Sequence, residues 1–469
     1  MEGTKYLTKD AILERAQEAI GIPLRDIDKT GRLATGKGAI GTVIEESWFG
    51  YTPNSNPEPD FPEAGVELKV TPYTRGKSGI RAKERLVCDI INYMEEYKKT
   101  FETSSFWHKC NTMLLMSYEH LMNQSKGNYT IDRAILFRFP EEDLAIIRHD
   151  WEIIIEKIRN GEAHLLSEGD TLYLAACTKG ANASSVREQP FSDIPAKQRA
   201  YSLKSSYMTT ILRSYIFGNE ENENIIKDSR VLQSNSFEDY LIKQISPYYG
   251  KTQNELKELF GIEGNPKNIN ERILARMLGI QGHILKTEEF QKANIVPKTI
   301  RVQKTNRIKE SMSFPVFDFK ELYDEECWED SKIYELLAPT KFLFVIFKEN
   351  DDGEYILERV MFWNMPNQDL EEVRRVWLRT RNTIRRGVKL IQSPHGISND
   401  LPKIMDSPVA HVRPHGRDAS DTLPLPDGRE MTKQCFWLNR GYIEKVIGLS
   451  DGSQAQSFSV AGKRPQKQR

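Results

Sequence analysis

Hydrophobic and polar positions alternate most clearly over Val66-Glu67-Leu68-Lys69-Val70, which predicts a strand with Val66, Leu68 and Val70 on one face and Glu67 and Lys69 on the other. Pro59 and Pro62 bar a helix before it, and Gly65 opens the run, so a turn leads into the strand. Residues 8–20 read as an amphipathic helix with a polar start. Glycine-rich text from Gly31 to Gly38 gives way to a second helix at about Ala39–Ser47, then a Pro/Asn/Ser loop over Tyr51–Pro59. Further strands are expected from Arg81 through the aliphatic text that follows, at Phe106–Met116, and at Tyr173–Cys177. A helix is expected to begin at Asp150 and close at Asn160-Gly161.

A period appears beyond these elements. Residues 127–161 and 353–387, compared at a constant offset of 226, share eleven identities in 35 ungapped positions, including Pro140/Pro366, Asp143/Asp369 and Trp151/Trp377. The chain therefore contains an internal duplication. Segment 221–237, rich in Asn, Glu and Ser, reads as a linker between residues 1–220 and 238–449, and 450–469 reads as a disordered tail.

Composition sets bounds. The 469 residues suffice for two or three domains. Five scattered cysteines without a Cys-x-x-Cys fit a reducing cytoplasm and argue against a zinc ribbon. No apolar run is long enough to span a membrane, and residues 1–5 lack a signal-peptide core. The balance of 66 basic and 67 acidic residues does not point to nucleic acid, so a DNA partner would require positive charge focused in a cleft.

The candidate chemistry lies at the first strand. Asp60 stands seven residues before Glu67, and Lys69 shares Glu67's face. Two carboxylates and an ammonium converging at a strand end suit a hard cation with retained waters, Mg²⁺ above all. The bare Glu-x-Lys recurs at Glu96-Tyr97-Lys98 and Glu255-Leu256-Lys257, in helical text where a solvated face is expected.

The stretch Asp60-Phe61-Pro62-Glu63-Ala64-Gly65-Val66-Glu67-Leu68-Lys69, with Lys37-Gly38-Ala39-Ile40-Gly41 and Trp48-Phe49-Gly50 upstream, resembles the active-site region of the MutH family. That family includes a mismatch-repair nicking endonuclease and type II restriction endonucleases that recognise GATC. The double length brings the chain closer to the restriction enzymes. The resemblance implies a mixed α/β (α+β) fold of two tandem restriction-endonuclease domains. It implies Mg²⁺ held by Asp60, Glu67 and the Leu68 carbonyl, with Lys69 and Lys109 as catalytic cations. A helix carboxylate completes the set: Glu45, counted from Gly41, is favoured over Glu46, counted back from Trp48. The expected DNA contacts are Lys37, Lys179, Asn182, Ser202 and Lys204 in the first copy, and Arg413 and His415 in the second. His108 is a candidate base. Ser202 replaces the Tyr of the mismatch-repair members, which implies tolerance of N6-methyladenine. In the second copy, Glu289, Val296 and Lys298 fall on Asp60, Glu67 and Lys69, and Leu337 falls near Lys109, so its metal site is expected to be lost. The expected partner is double-stranded DNA, bound by a monomer that can pair on its site, without a membrane. A mismatch-repair nickase and a non-catalytic GATC reader are the competing readings.

Overall fold

The computed structural model describes residues 6–34, 36, 38–53, 57–76, 79–180, 184–218, 222–233, 235–264, 266, 268–393 and 396–449. By contacts the chain divides into two compact units. The first is Met1–Thr299 with Tyr334–Val345 and Leu357–Leu370, and the second is Ile300–Ile333, Ile346–Ile356 and Glu371–Arg469. The described part of segment 221–237 belongs to the first unit. There Ile225 is buried, and it and Ile226 donate their amides to the Glu289 carboxylate at 3.0 and 2.8 Å. The tail expected at 450–469 lies outside the described residues.

The first unit is built on a mixed sheet. Its strands are β1 (Glu67–Gly76), β2 (Gly79–Ala82), β4 (Met113–Glu119) and β5 (Arg133–Phe137), in the order β2-β1-β4-β5. A second sheet, β3-β9-β6, joins β3 (Leu86–Ile90), β9 (Arg199–Leu203) and β6 (Leu174–Thr178). The hairpin β7–β8 (Val186–Gln189, Ser192–Lys197) is inserted between β6 and β9. β1 and β4 run parallel from Glu67↔Met113 to Tyr73↔Glu119. Alternation then sorts the side chains: Leu68, Leu114 and Met116 join a core with Ile12 and Ala16 of helix α1 (Lys9–Glu18). Thr8 caps α1 by accepting the Ala11 amide at 3.3 Å.

Two expectations shift. The apolar text at 106–116 splits into a helix, α2 (Ser105–Cys110), and strand β4, because Ser104 caps the helix by accepting the Trp107 amide at 3.1 Å. The helix expected from Asp150 starts nine residues earlier. Here α3 spans Glu141–Arg159, with Pro140 at its N-cap and Glu141, Glu142 and Asp143 in the first turn, where carboxylates favour the helix dipole.

The duplication coincides with structure. A 19-residue helix at Asn367–Arg385 lies at the same 226-residue offset from α3 and also follows a proline. In the second unit, strands Met312–Val316, Gln434–Leu438 and Ala410–Pro414 form a sheet with the last-in-sequence strand central. That matches β3-β9-β6, and a hairpin (Thr422–Pro424, Glu430–Thr432) again precedes the central strand.

One buried carboxylate ties α3 to β6. Asp150 accepts the backbone amides of Leu172, Tyr173 and Leu174 at 2.7, 2.6 and 2.9 Å. Burial outweighs these bonds and raises its pKa to about 6. Truncation leaves three buried donors unpaired, at about 1–3 kcal/mol each if water does not enter. Asp150→Ala should therefore lower unfolding free energy by roughly 3 kcal/mol or more, read by denaturant melts, with Asp150→Asn losing less.

Candidate active site

Why Asp60 and Glu67 meet follows from a closed turn. Phe61 and Val66 exchange both backbone hydrogen bonds, at 2.9 and 3.2 Å, across Pro62–Gly65. Gly65 takes φ +62, a left-handed conformation that side-chain-bearing residues rarely adopt. The residues flanking the bridged pair are then neighbours. The Asp60 amide donates to Glu67 Oε2 at 3.2 Å, and Asp60 Oδ2 accepts the Leu68 amide at 2.9 Å. The Asp-x6-Glu spacing is the footprint of this turn.

Lys69, one alternation beyond Glu67, donates to Glu67 Oε1 at 2.7 Å and to the Cys88 carbonyl of β3 at 3.2 Å. Burial pulls the Lys69 pKa down, but the adjoining Glu67 carboxylate more than restores it, and the net shift is upward. Lys69 is thus a cation in this arrangement. Lys109, in the last turn of α2, brings a second ammonium to 3.7 Å from Glu67 Oε1.

The helix carboxylates take separate roles. The helix from Ala39 widens into a π turn at Ile44–Trp48. Glu46 turns to Arg32, 2.9 Å away. Glu45 is half-buried beside Asp60 and Glu67, and burial followed by their repulsion raises its pKa to about 7. Glu67 is raised to about 7 by burial and by Asp60, against the pull of Lys69. Burial and the Asp60 charge thus hold Glu45 and Glu67 against ionisation, a penalty that a cation relieves.

The donor set fits a hard divalent ion. Among the described residues no three or more acids, histidines or cysteines form a ready-made metal cage. Mg²⁺ does not require one, since it keeps waters and substrate oxygens and commonly takes only one or two carboxylates. Asp60 and Glu67 supply those, and the Leu68 carbonyl directly follows Glu67 along β1.

The other expected residues divide. Lys179 is exposed at the end of β6. Arg413 and His415 are exposed in the second unit, with the Arg413 guanidinium 4.5 Å above the Trp437 ring and His415 edge-on to it at 5.2 Å. Ser202 and Lys204 do not reach the surface. Ser202, 1% exposed, lies on β9, whose two edges are covered by β3 and β6. Lys204, 3% exposed, donates to the carbonyls of Thr171 at 2.5 Å and Pro339 at 3.1 Å. Burial, then the charge of Lys341, pulls its pKa down to about 8. Lys37 and Asn182 lie outside the described residues. His108 does not face Glu67: its Nε2 pairs with Glu58 at 2.9 Å on the exposed rim. The Cys88 carbonyl, which orients Lys69, left no signal in the sequence because any residue supplies one.

In the second half, the residues aligned with the metal site are otherwise engaged. Glu289 holds the amides of Ile225 and Ile226, position 296 is Val, and Leu337 is fully buried.

Known proteins share this plan. A family model described as DNA mismatch repair enzyme MutH matches residues 49–150, which span the turn, β1 and Lys109. The type II restriction enzyme Sau3AI of Staphylococcus aureus is 41% identical over 484 aligned positions, covering 94% of this chain and 99% of that protein. DNA mismatch repair proteins MutH of Shewanella woodyi and Shewanella amazonensis are each 32% identical. They cover 39% and 44% of this chain, and 79% and 93% of their own lengths. With identity extending over both halves of a type II restriction enzyme, the chain belongs to the MutH-like family of type II restriction endonucleases, site-specific deoxyribonucleases.

Proposed function

We propose that the chain is a Mg²⁺-dependent endonuclease that cuts double-stranded DNA at GATC and leaves 5′-phosphates. The observation that carries this reading is the bridged turn that joins Asp60, Glu67 and Lys69. Asp60, Glu67 and the Leu68 carbonyl hold the metal, with Glu45 beside them. When bound, Mg²⁺ supplies Lewis-acid polarisation of a phosphate oxygen and acidifies water. Lys69, fixed between Glu67 and the Cys88 carbonyl, orients the attacking water and its proton. Lys109 offsets the charge that builds on the phosphate.

The second copy acts as a DNA-binding or allosteric module without a metal site. Exposed Arg413 and His415 support DNA binding, and the engaged Glu289 and apolar Val296 support the lack of a metal site. One intact site facing a palindrome requires two chains meeting on DNA or two successive nicks. The protein works in the cytoplasm as a monomer that pairs on its site; no helix among the described residues is long and apolar enough to cross a membrane. Lys179 reads guanine from the end of β6.

Glu67→Ala should abolish linearisation of a GATC-bearing supercoiled plasmid in Mg²⁺ while leaving duplex binding in a mobility shift. Retained cutting would remove the metal assignment. A second outcome concerns pH. With Glu45 and Glu67 each titrating at about 7, protons and metal compete for the same oxygens. Above pH 7 the carboxylates are free for the metal; below it, the Mg²⁺ giving half-maximal cutting should rise roughly tenfold per pH unit per proton displaced. Single-turnover rates across Mg²⁺ titrations at pH 6, 7 and 8 read this directly, and a constant half-maximal Mg²⁺ would refute it. Ser202 is buried on the central strand β9, so it does not meet the adenine, and the methylation tolerance expected from it falls away.

A further inference from the structure

Two cations in the first unit share one hydroxyl. Lys9 Nζ, at the start of α1, and Arg138 Nε, just past β5, both donate to Thr112 Oγ1, at 3.4 and 3.3 Å. The hydroxyl spends its own proton on Asn111 Oδ1 at 3.1 Å. Among the described residues neither cation has a carboxylate within 4 Å, whereas Arg15, Arg32, Arg75 and Arg148 of the same unit each have one. Like charges this close repel. The Lys9 ammonium is already pulled below its ordinary pKa, by burial and then by Arg138. A pair held together without a counter-charge is a receptor shape for an anion.

The position names the anion. The Thr112 carbonyl accepts the Glu67 amide at 3.1 Å, and the ladders set Glu67 opposite Met113 and Met113 opposite Phe137. Thr112 and Arg138 are therefore one residue from that row, on the strands next to and second from the catalytic one. Strands lie about 5 Å apart, and alternation turns Thr112 and Arg138 to the α1 face, away from the Glu67 side chain, so the pair stands roughly 10 Å from the carboxylates at the same end of the sheet. Phosphates follow one another along a DNA strand at about 3.4 Å of axial rise, so the pair meets a phosphate only a few steps from the one cut. The duplication adds an independent sign. At the 226-residue offset Pro140 and Asp143 are kept as Pro366 and Asp369, but Arg138 becomes Asn364. The cation went with the metal-binding copy and is absent from the shared scaffold.

We infer that Lys9 and Arg138 form a clamp for a backbone phosphate of the substrate strand beside the scissile one, with Thr112 holding the two cations ready. The inference rests on the nuclease reading and assigns the clamp a positioning role: it contributes affinity without sequence preference and sets the strand's place over Asp60 and Glu67.

The test uses full-length Glu67→Ala protein, which prevents cutting, with and without Lys9→Gln and Arg138→Gln. Duplexes with and without GATC are titrated across a range of KCl. The clamp predicts that the double substitution weakens binding roughly tenfold on both duplexes and flattens the slope of log K against log salt by about 1. Lys9→Arg with Arg138→Lys should restore the slope, and Thr112→Val should weaken binding with an unchanged melting temperature. An unchanged salt slope in the double variant overturns the clamp, as does a loss confined to the GATC duplex. Equal binding of both duplexes by the parent protein instead overturns the GATC reading, and the slope comparison then still decides the clamp.

Discussion

The site depends on one electrostatic constraint: carboxylates 60 and 67 are forced together by a turn that cannot open without breaking the Phe61–Val66 bridge. Proximity alone would be unfavourable. It is sustained because each carboxylate also accepts a backbone amide of the other segment, and because Lys69 and Lys109 approach the same Glu67 oxygen. The parallel register of β1 on β4 makes this durable. Glu67 is at the first paired position, where its amide is taken by Thr112 while its side chain meets Lys69 and Lys109. Burial, with the Asp60 charge added, holds the Glu45 and Glu67 carboxyls up at pKa values of about 7. The arrangement is stable enough to fold and retains affinity for a cation.

The two halves separate scaffold from chemistry. What recurs at the 226-residue offset is helix-starting proline, first-turn aspartate, tryptophan and closing glycine, the residues that set element length and packing. Arg159 and Arg385 also recur, each holding backbone carbonyls, but two other charged positions do not. Asp150, which anchors β6, corresponds to Val376, and Arg138 corresponds to Asn364. The two halves thus share element lengths and differ at particular charged positions.

Much of the catalytic strand was legible because alternation, two prolines and a glycine act locally. Counting from Gly41 favours Glu45 over Glu46, but the reason is not local: a π-widened turn directs Glu46 to Arg32 and leaves Glu45 beside Asp60 and Glu67. Ser202 and Lys204 were misread for a related reason. A strand's sequence shows its period but not whether both edges are covered, and β9 is central, with all five residues buried. Glu96 is a second case: helical text suggested a solvated acid, yet it is 1% exposed and bound by Lys99 and the Tyr201 hydroxyl. The Lys9–Arg138 pair spans 129 positions and exists only once β4 and β5 have brought its members together.

These placements resolve how a chain with 66 basic and 67 acidic residues can address a polyanion. Around the end of β1 stand three carboxylates, Glu45, Asp60 and Glu67, and four cations, Lys9, Lys69, Lys109 and Arg138. Without metal the balance is near neutral, and it falls further in favour of DNA only when a divalent ion adds two positive charges among the acids. On this reading the carboxylates repel the phosphate until the ion is in place, while Lys9 and Arg138, set to one side, attract the strand throughout. Backbone attraction and reaction are then governed by different groups, so the protein can travel along DNA of any sequence without a reactive centre being complete until metal and strand arrive together.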